Sequence, residues 1–262
     1  MKGIDVSQHQ GAINWDKVKK AGIEFAMLRV GYSNILDNEF KNNVKGCVDN
    51  NIPFGVYLFS YALDEADARR EALFVIDCIK ELTVNFPVAF DFEYDSISYA
   101  NQMKVNLLKD DVIKITETFC KCIEDFGYYA MVYTNKDYYN LYYNGSIKDK
   151  FDLWAAHWNI LEPFYKGGMW QHTSSGRVDG ITGNVDLNYA YKDYKTLIQD
   201  LGLNNLKPKE DTTDYKKLYF DLLEDIQSLY SKYNNMKLML NSFYGKNEQY
   251  KTYLNSITDP RD

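Results

Sequence analysis

The stretch PVAFDFEYD, residues 87–95, places acidic residues in an otherwise apolar, strand-like segment. Side chains of a strand point alternately to its two faces, so Asp91 and Glu93 share one face while Phe90 and Phe92 share the other. Two strand rises separate the acids by roughly 6 to 7 Å at the backbone, so each carboxyl group changes the proton affinity of the other. A salt-bridged pair at a strand end is the structural alternative, and the pattern favours a functional pair.

Strand-like and helix-like segments alternate on both sides of this stretch. That order is typical of a parallel sheet covered by helices, and the helical segments thin out towards the end of the series. The sequence therefore predicts an α/β barrel of eight strands whose last part lacks full helices. The strand-like segments are KGIDVS (2–7), FAMLRVGYS (25–33), PFGVYLFSYA (53–62), FPVAFDFEYD (86–95), YYAMVYTN (128–135), FDLWAAHW (151–158), GGMWQHTS (167–174) and NVDLNYAY (184–191).

Four acidic residues in three of these strands are candidates for a shared site. Asp5 belongs to the first strand, Asp91 and Glu93 to the fourth, and Asp186 to the last. Active sites of such barrels lie at the C-terminal ends of the strands, where the loops gather. A closed barrel would therefore bring four carboxyl groups around one mouth, and this joint placement favours a catalytic site over unrelated structural acids.

The composition favours a polar ligand and argues against several classes of protein. Aromatic residues make up 16% of the 262-residue chain, with 23 Tyr and 4 Trp, and such rings offer a sugar flat apolar faces with hydrogen-bonding edges. The formal net charge of −7 argues against nucleic acid as a partner. No run of about 18 apolar residues predicts a membrane span. We therefore expect neither nucleic acid nor a membrane among the partners.

Signals for metals, disulfides and export are also weak in this sequence. His9, His157 and His172 lie near separate strand ends without the spacing of a metal site, so we predict no metal and no cofactor. The four Cys residues fall in helix-like segments and are expected to be reduced. MKGIDVSQHQ, residues 1–10, has no apolar h-region, so no signal peptide is predicted there.

The chain contains six motifs over about residues 1 to 195. Taken in their order along the sequence, they resemble the CH-type lysozymes, which form family 25 of the glycoside hydrolases. The resemblance implies a flattened (β/α) barrel of eight strands with about five helices. It also implies cleavage of the β-1,4 bond between N-acetylmuramic acid and N-acetylglucosamine in bacterial peptidoglycan. The motifs are GIDVSQHQGAINWDKVKKAGIEFAMLRVGYS (3–33), PFGVYLFSYA (53–62), AFDFE (89–93), LWAAHW (153–158), WQHTS (170–174) and GNVDLN (183–188).

The same resemblance implies roles for the four acids. Glu93 matches the catalytic acid of the family, Asp91 its partner, Asp5 the acid of the opening strand and Asp186 that of the last. A carboxylic acid can protonate a glycosidic oxygen only if its pKa is raised towards the working pH. Asp91 could attack the anomeric carbon, activate water or orient the acetamido group of the substrate for attack. We favour the last, substrate-assisted route.

Aromatic and polar residues near the acids are candidates for substrate binding, although strand aromatics often belong to the core. Tyr133, Trp154 and Trp170 are the preferred sugar contacts. Arg29 lies alone among apolar neighbours, and because burying it unpaired would be costly we expect it to pair with one of the four acids. The full set of expected binding residues is Tyr57, Phe59, Tyr61, Tyr133, Trp154, Trp170, Gln171 and Arg29.

The end of the chain differs from the barrel pattern. We predict a catalytic barrel at 1–197, a linker at 198–213 containing the charged run KPKEDTT, and a helical segment at 214–262. Apolar residues in that segment follow a heptad pattern, which predicts a coiled-coil-like helix and a homo-oligomer. A helix packed on the barrel, a hairpin turning at Gly245 and a wall-binding module are the alternatives. The heptad positions are Tyr219, Leu222, Ile226, Leu229, Tyr233, Met236, Leu240, Phe243, Tyr250, Leu254 and Ile257.

The resemblance also sets the expected biology. Enzymes of this kind are often phage endolysins, which would be made in the host cytoplasm and reach the cell wall after holin-type release. Two other functions remain open, namely a catalytically silent wall-binding protein on the same barrel and a chitinase-like glycosidase. The complete set of four acids favours the hydrolase, because a protein that only binds has no need for an acid with a raised pKa.

Overall fold

The computed structural model describes residues 1–206 and 215–244 of the 262-residue chain. The chain divides into two units, Met1–Pro208 and Lys209–Asp262. The first unit contains the predicted barrel, and the second contains one described helix.

Eight strands close into a barrel in the order β1-β9-β8-β7-β6-β5-β4-β2, and β2 pairs again with β1. All neighbouring strands of the barrel are parallel except β9, which runs antiparallel to β8 and to β1. The eight predicted strands are confirmed, and β3 only extends β2 as a short hairpin. The strands are β1 (Lys2–Val6), β2 (Phe25–Tyr32), β3 (Ile35–Leu36), β4 (Phe54–Phe59), β5 (Val88–Asp91), β6 (Ala130–Asn135), β7 (Asp152–Ala156), β8 (Met169–Gly176) and β9 (Val185–Ala190).

Helices cover the outside of the barrel where the strands are parallel and read as nearly continuous apolar runs. Helix α3 shows why such segments are helical. Its N-cap Asp64 accepts a hydrogen bond from the backbone of Asp67, and its buried residues recur at helical spacing. The helices of this unit are α1 (Trp15–Lys20), α2 (Phe40–Asp49), α3 (Glu65–Ile79), α4 (Tyr94–Gln102), α5 (Lys109–Asp125), α6 (Lys136–Tyr138), α7 (Ser146–Lys150) and α8 (Tyr194–Leu201).

Five of these helices, α2, α3, α4, α5 and α8, run for eight residues or more. The loops that join β7 to β8 and β8 to β9 are described throughout and contain no helix. The last part of the barrel therefore lacks full helices, as predicted. Loops, and not helices, therefore flank the strand ends on that side of the mouth.

The interior of the barrel is apolar up to a level just below the mouth. At the N-terminal end, Phe25 and Phe86 stack with ring centroids 4.5 Å apart, and Tyr194 of α8 packs against Phe86. Met27 and Met169 continue the same buried cluster along the axis. Burial of each large apolar side chain contributes roughly 1.5 to 3 kcal/mol, so the barrel provides a rigid support for polar groups at its open end.

The predicted start of the linker at residue 198 is wrong. Helix α8 continues to Leu201, and Gly202 ends it in the left-handed conformation that favours glycine. Asn204 is fully buried, and its side-chain amide donates to the backbone oxygens of Val84 and Phe86 at 3.0 Å. Residues 198–206 therefore belong to the barrel unit, because their side chains complete its backbone hydrogen bonds. The remaining predicted linker, 207–213, lies outside the described residues.

Helix α9 (Tyr215–Tyr244) forms the described part of the second unit. Several of its predicted heptad positions are exposed, among them Ile226 and Leu229, the latter at 64%. The proposed hairpin at Gly245 and the continuation of the stripe at 250–257 lie outside the described residues. Among the helices that the structure describes, none combines the length and the apolar character that a membrane crossing requires.

Candidate active site

The four predicted acids meet at the C-terminal mouth of the barrel. Asp5 and Asp186 are Cα partners of the antiparallel pair β1 and β9, and their side chains hydrogen-bond to each other. Strand β5 ends at Asp91, and Glu93 continues in an extended conformation as the N-cap of α4. The Asp91 and Glu93 side chains also hydrogen-bond to each other. The mouth of the barrel therefore holds two neighbouring pairs of carboxyl groups.

Burial raises the pKa of all four carboxyl groups, and neighbouring negative charges add to this rise for Asp5, Asp91 and Glu93. Burial is the largest cause for Asp91, followed by the charges of Glu93 and Asp5. Burial, together with the charges of Asp95 and Asp186, raises the pKa of Glu93 to about 7, and the hydrogen bond with Asp91 acts in the opposite direction. Neighbouring carboxylates in a dry site cannot all ionise. Glu93 therefore keeps a proton up to a pH near 7.

Two side-chain amides hold the Asp5 carboxyl group in place. The nitrogens of Gln171 and Asn188 both donate to Oδ2 of Asp5, at 3.0 and 2.8 Å. These hydrogen bonds oppose the rise in the pKa of Asp5 that burial and Asp186 cause. Gln171 was predicted as a binding residue, and its side chain does lie at the site. Asn188 was missed, although its place two residues after Asp186 on one strand face was readable from NVDLN.

Buried aromatic rings orient these amides, which corrects two of the preferred sugar contacts. Trp154 is 1% exposed, packs edge to face against Tyr57 and Tyr133, and donates from Nε1 to Asn188 at 2.8 Å. The Tyr133 hydroxyl donates to Oε1 of Gln171 at 3.0 Å. Neither ring has a free face for a sugar. The prediction of Trp154 and Tyr133 as stacking contacts is wrong, because their strands direct them into the barrel interior.

The third preferred contact, Trp170, is wrong because it points to the other side of its strand. Gln171 faces Asp5, and adjacent residues of a strand face opposite ways. Trp170 accordingly packs against His172 and Tyr189, and its Nε1 donates to the backbone oxygen of His157 at 2.8 Å. Its ring therefore lies on the face of β8 opposite to Gln171.

The expected partner of Arg29 is also corrected. Its Nε bonds Oδ2 of Asp37 at 2.8 Å, so it forms a buried ion pair with an acid that the sequence analysis did not single out. Asp37 also accepts the backbone N–H of Gln8 and of Glu39. The charge of Arg29 still reaches Asp91, where it opposes the rise in pKa. Arg29 therefore acts on the site through its field and not as a direct partner.

The remaining predicted aromatic residues lie along β4 and just beyond it. Tyr57 is buried with the charges of Asp5, Asp91 and Asp186 close enough to raise its pKa, after burial itself. Phe59 and Tyr61 are half-buried, with ring centroids 5.2 Å apart. Of the predicted rings, these two are the ones left partly open beside the acids.

Trp158 is an aromatic residue at the site that the sequence analysis missed. It is 47% exposed, and its Nε1 donates to Oε1 of Gln171 at 2.9 Å. The indole is thus tied by its edge to the amide that holds Asp5, while part of the ring faces solvent. The motif LWAAHW contained the signal, but the strand ends at Ala156 and alternation no longer applies to the two residues that follow.

A buried glutamate, Glu71 of α3, supports the backbone around Glu93. Its carboxylate accepts from Oγ of Ser60 at 2.6 Å and from the backbone of Tyr61 at 3.0 Å. The backbone oxygen of Ser60 accepts from Oγ of Ser96, which in turn accepts the backbone N–H of Glu93 at 3.0 Å. This chain of hydrogen bonds links a side chain behind the barrel wall to the proposed acid.

Replacing Glu71 with Gln is expected to change how stability depends on pH. Burial raises the pKa of Glu71 to about 7, whereas an unfolded chain ionises glutamate near pH 4. Ionisation therefore costs stability as the pH rises between these values, and Gln cannot ionise. The free energy of unfolding of the parent minus that of Glu71→Gln should fall by about 2 to 3 kcal/mol from pH 5 to pH 8. Urea unfolding at both pH values measures it, and a constant difference would contradict the prediction.

In the described part of the chain, no group of three His, Cys, Asp or Glu side chains is arranged to hold a metal ion. The site consists of four carboxyl groups with raised pKa, two amides that fix Asp5, and partly open rings at the rim. Such an arrangement can deliver a proton to a leaving oxygen on one side of a bond and stabilise positive charge on the other.

Comparison with known proteins finds relatives in sequence and in fold. The autolytic lysozyme of Clostridium acetobutylicum is 27% identical over 191 residues, which cover 72% of this chain and 55% of that protein. This chain thus spans about half the length of that relative. The structure of the modular autolysin LytC from Streptococcus pneumoniae, in complex with a synthetic peptidoglycan ligand, is 33% identical with a TM-score of 0.63 and covers 71% of this chain and 46% of that chain.

The fold itself is matched by the bacterial lysozyme from Streptomyces coelicolor, with a TM-score of 0.65 at 24% identity, covering 79% of this chain and 98% of that chain. The family model described as glycosyl hydrolases family 25 matches residues 4–181. That match covers more than half of the sequence and includes Asp5, Asp91 and Glu93. The chain therefore belongs to family 25 of the glycosyl hydrolases.

Proposed function

We propose that this protein is a lysozyme that cleaves the β-1,4 bond between N-acetylmuramic acid and N-acetylglucosamine in bacterial peptidoglycan. The observation that carries the proposal is the hydrogen-bonded pair of Asp91 and Glu93 at the barrel mouth, beside the second pair of Asp5 and Asp186. The names of the relatives support the same substrate. In this proposal the protein acts on the cell wall, and it reaches the wall as an endolysin after holin-type release.

Glu93 is the proton donor in this mechanism. A glycosidic oxygen leaves poorly unless it is protonated as the bond breaks. The pKa of Glu93, raised to about 7, keeps a proton available at neutral pH. Whether Glu93 or Asp91 carries this proton depends on what each carboxyl group contacts when substrate is bound.

Asp91 orients the acetamido group of the substrate. Its Oδ1 is buried and has no hydrogen-bond partner among the described residues. An acetamido N–H can donate to this oxygen, which directs the acetamido carbonyl oxygen at the anomeric carbon. A hydrogen bond of this kind stabilises ionised Asp91. Substrate binding therefore moves the shared proton to Glu93, where the reaction needs it.

The proposed reaction has two steps. The acetamido oxygen forms a bond to the anomeric carbon as the glycosidic bond breaks and Glu93 gives its proton to the leaving oxygen. In the second step water attacks the same carbon and returns a proton to Glu93, and the acetamido group is restored. The negative charge shared by Asp5 and Asp186 stabilises the positive charge that develops in both steps.

Analysis of the new chain ends tests the proposed bond. Purified peptidoglycan is digested, the released ends are reduced with borohydride, and the sugars are identified. Muramitol is expected, because cleavage after N-acetylmuramic acid leaves that sugar at the reducing end. Glucosaminitol would identify a glucosaminidase. Binding to the wall without new reducing ends would identify a silent wall-binding protein, and release of ends from chitin at a similar rate would identify a chitinase-like glycosidase.

We further propose that residues 214–262 mediate self-association. An isolated helix cannot bury a one-sided apolar stripe, and exposed positions such as Ile226 and Leu229 in α9 remain to be covered. Light scattering at micromolar concentration should show a dimer or larger assembly for the full chain and a monomer for a chain ending at residue 208. The variant Ile226→Lys with Leu229→Lys should also be monomeric. A monomeric full chain would exclude self-association.

A further inference from the structure

A pocket that contains none of the four acids in its lining lies between the β2–β3 hairpin and α4. Its volume is about 480 Å³, within the usual range of small-molecule sites. Tyr32 and Ile35 come from the hairpin, Tyr61 from the segment after β4, and Tyr99 and Gln102 from α4. None of these residues takes part in the proposed bond cleavage.

The walls of the pocket combine an aromatic side with a polar side. Tyr61 packs edge to face against Tyr32 at 6.4 Å and against Tyr99 at 5.1 Å, and all three rings are half-buried. Helix α4 contributes Asp95, Ser98, Tyr99 and Gln102 at the spacing of one helix face. Flat rings opposite hydroxyl, carboxylate and amide groups match the apolar faces and polar edges of a pyranose ring.

The pocket continues directly from the acid pair. Tyr61 follows Phe59 by two residues, and Phe59 is the Cα partner of Asp91 across β4 and β5. Asp95 follows Glu93 by two residues, in the first turn of α4. The backbone of Tyr61 is also fixed by the Glu71 carboxylate at 3.0 Å. A polymer lying across the acids would therefore reach walls that are already in position, which lowers the entropic cost of binding.

We infer that this pocket binds a pyranose ring of the glycan strand beyond the linkage that is cleaved. The inference rests on the proposed function and adds a substrate-length preference to it. The residues that line the pocket, all of them described, include the carboxylate of Asp95 but no Lys or Arg. A stem peptide carrying carboxylates would lack a cationic partner there, whereas sugar hydroxyl and acetamido groups find acceptors and donors.

The length dependence of kcat/KM on peptide-free glycan strands tests the inference. The parent enzyme is expected to cleave long strands about tenfold more efficiently than tetrasaccharides, the effect of one additional stacked ring. Tyr99→Ala removes a wall, and Ser98→Trp fills the pocket from an exposed helix position. Both variants should lose most of the long-strand advantage. The matched control is Tyr191→Ala, because Tyr191 is 45% exposed and follows β9 at the opposite end of the barrel.

The possible results distinguish failure of the pocket assignment from failure of the proposed lysozyme function. A long-strand advantage that persists in Tyr99→Ala and Ser98→Trp would overturn the pocket while leaving the lysozyme proposal intact. An advantage seen only with strands that carry stem peptides would assign the pocket to the peptide and also overturn the inference. If the parent releases no reducing ends from any strand, the proposed function itself fails. Ser98→Trp keeps the test open if Tyr99→Ala does not fold, since it removes no core contact.

Discussion

Glu93→Gln is expected to slow peptidoglycan hydrolysis by about a hundredfold or more, the usual contribution of a general acid. Gln keeps the shape of the side chain and its place at the start of α4 but has no proton to give. The release of reducing ends from purified peptidoglycan measures the effect. Asp77→Asn is the matched control, because Asp77 is an exposed carboxylate on α3 whose hydrogen bond goes to Lys80.

The pH profile gives an independent check on Glu93. Because burial, Asp95 and Asp186 raise the pKa of Glu93 to about 7, the protonated acid is lost as the pH rises above that value. The kcat/KM of the parent should then fall by about tenfold for each further pH unit, with an apparent pKa that belongs to the pair with Asp91.

A Glu93→Gln rate within about threefold of the parent would rule out Glu93 as the principal acid.

Asp91→Asn is expected to reduce kcat by about a hundredfold or more, with a smaller change in KM. The reason is that the carboxylate both orients the acetamido group and accepts the negative charge when the shared proton moves to Glu93. These interactions strengthen as the reaction proceeds and therefore act mainly on kcat. Initial rates over a range of soluble glycan concentrations separate the two parameters.

The same variant distinguishes the routes open to Asp91. In the substrate-assisted route no covalent bond forms between sugar and protein. Mass spectrometry of the parent enzyme, quenched during turnover, should therefore find no glycosylated Asp91. A sugar attached to Asp91 would instead make it the nucleophile. A loss in Asp91→Asn that appears only in KM would limit Asp91 to substrate binding.

The same chemistry distinguishes a hydrolase from a protein that only binds the cell wall. Four neighbouring carboxyl groups whose pKa values are raised by burial are costly to keep together, and a surface that only binds a glycan gains nothing from them. The cluster therefore favours catalysis, and the support from Gln171 and Asn188 around Asp5 gives it a defined geometry.

Much of the fold was predictable from local patterns. Neighbouring residues show both the alternation within a strand and the succession of strands and helices. The eight strands and the loss of helices after β7 could therefore be predicted from the sequence. The placement of Asp5, Asp91, Glu93 and Asp186 at strand ends followed as well, because parallel strands direct their C-terminal ends to one mouth. The boundary at residue 198 did not, since Asn204 is buried by residues far away in sequence.

The barrel, the four acids and the shared face of Asp91 and Glu93 could be predicted from local sequence patterns. Folding of the whole chain was needed to show which rings fill the interior, as Trp154 does, and which point away from the mouth, as Trp170 does. It also decided that Arg29 pairs with Asp37. The physical reason is that alternation separates two faces without saying which is inside, and a buried charge finds its partner through barrel closure and packing between distant segments.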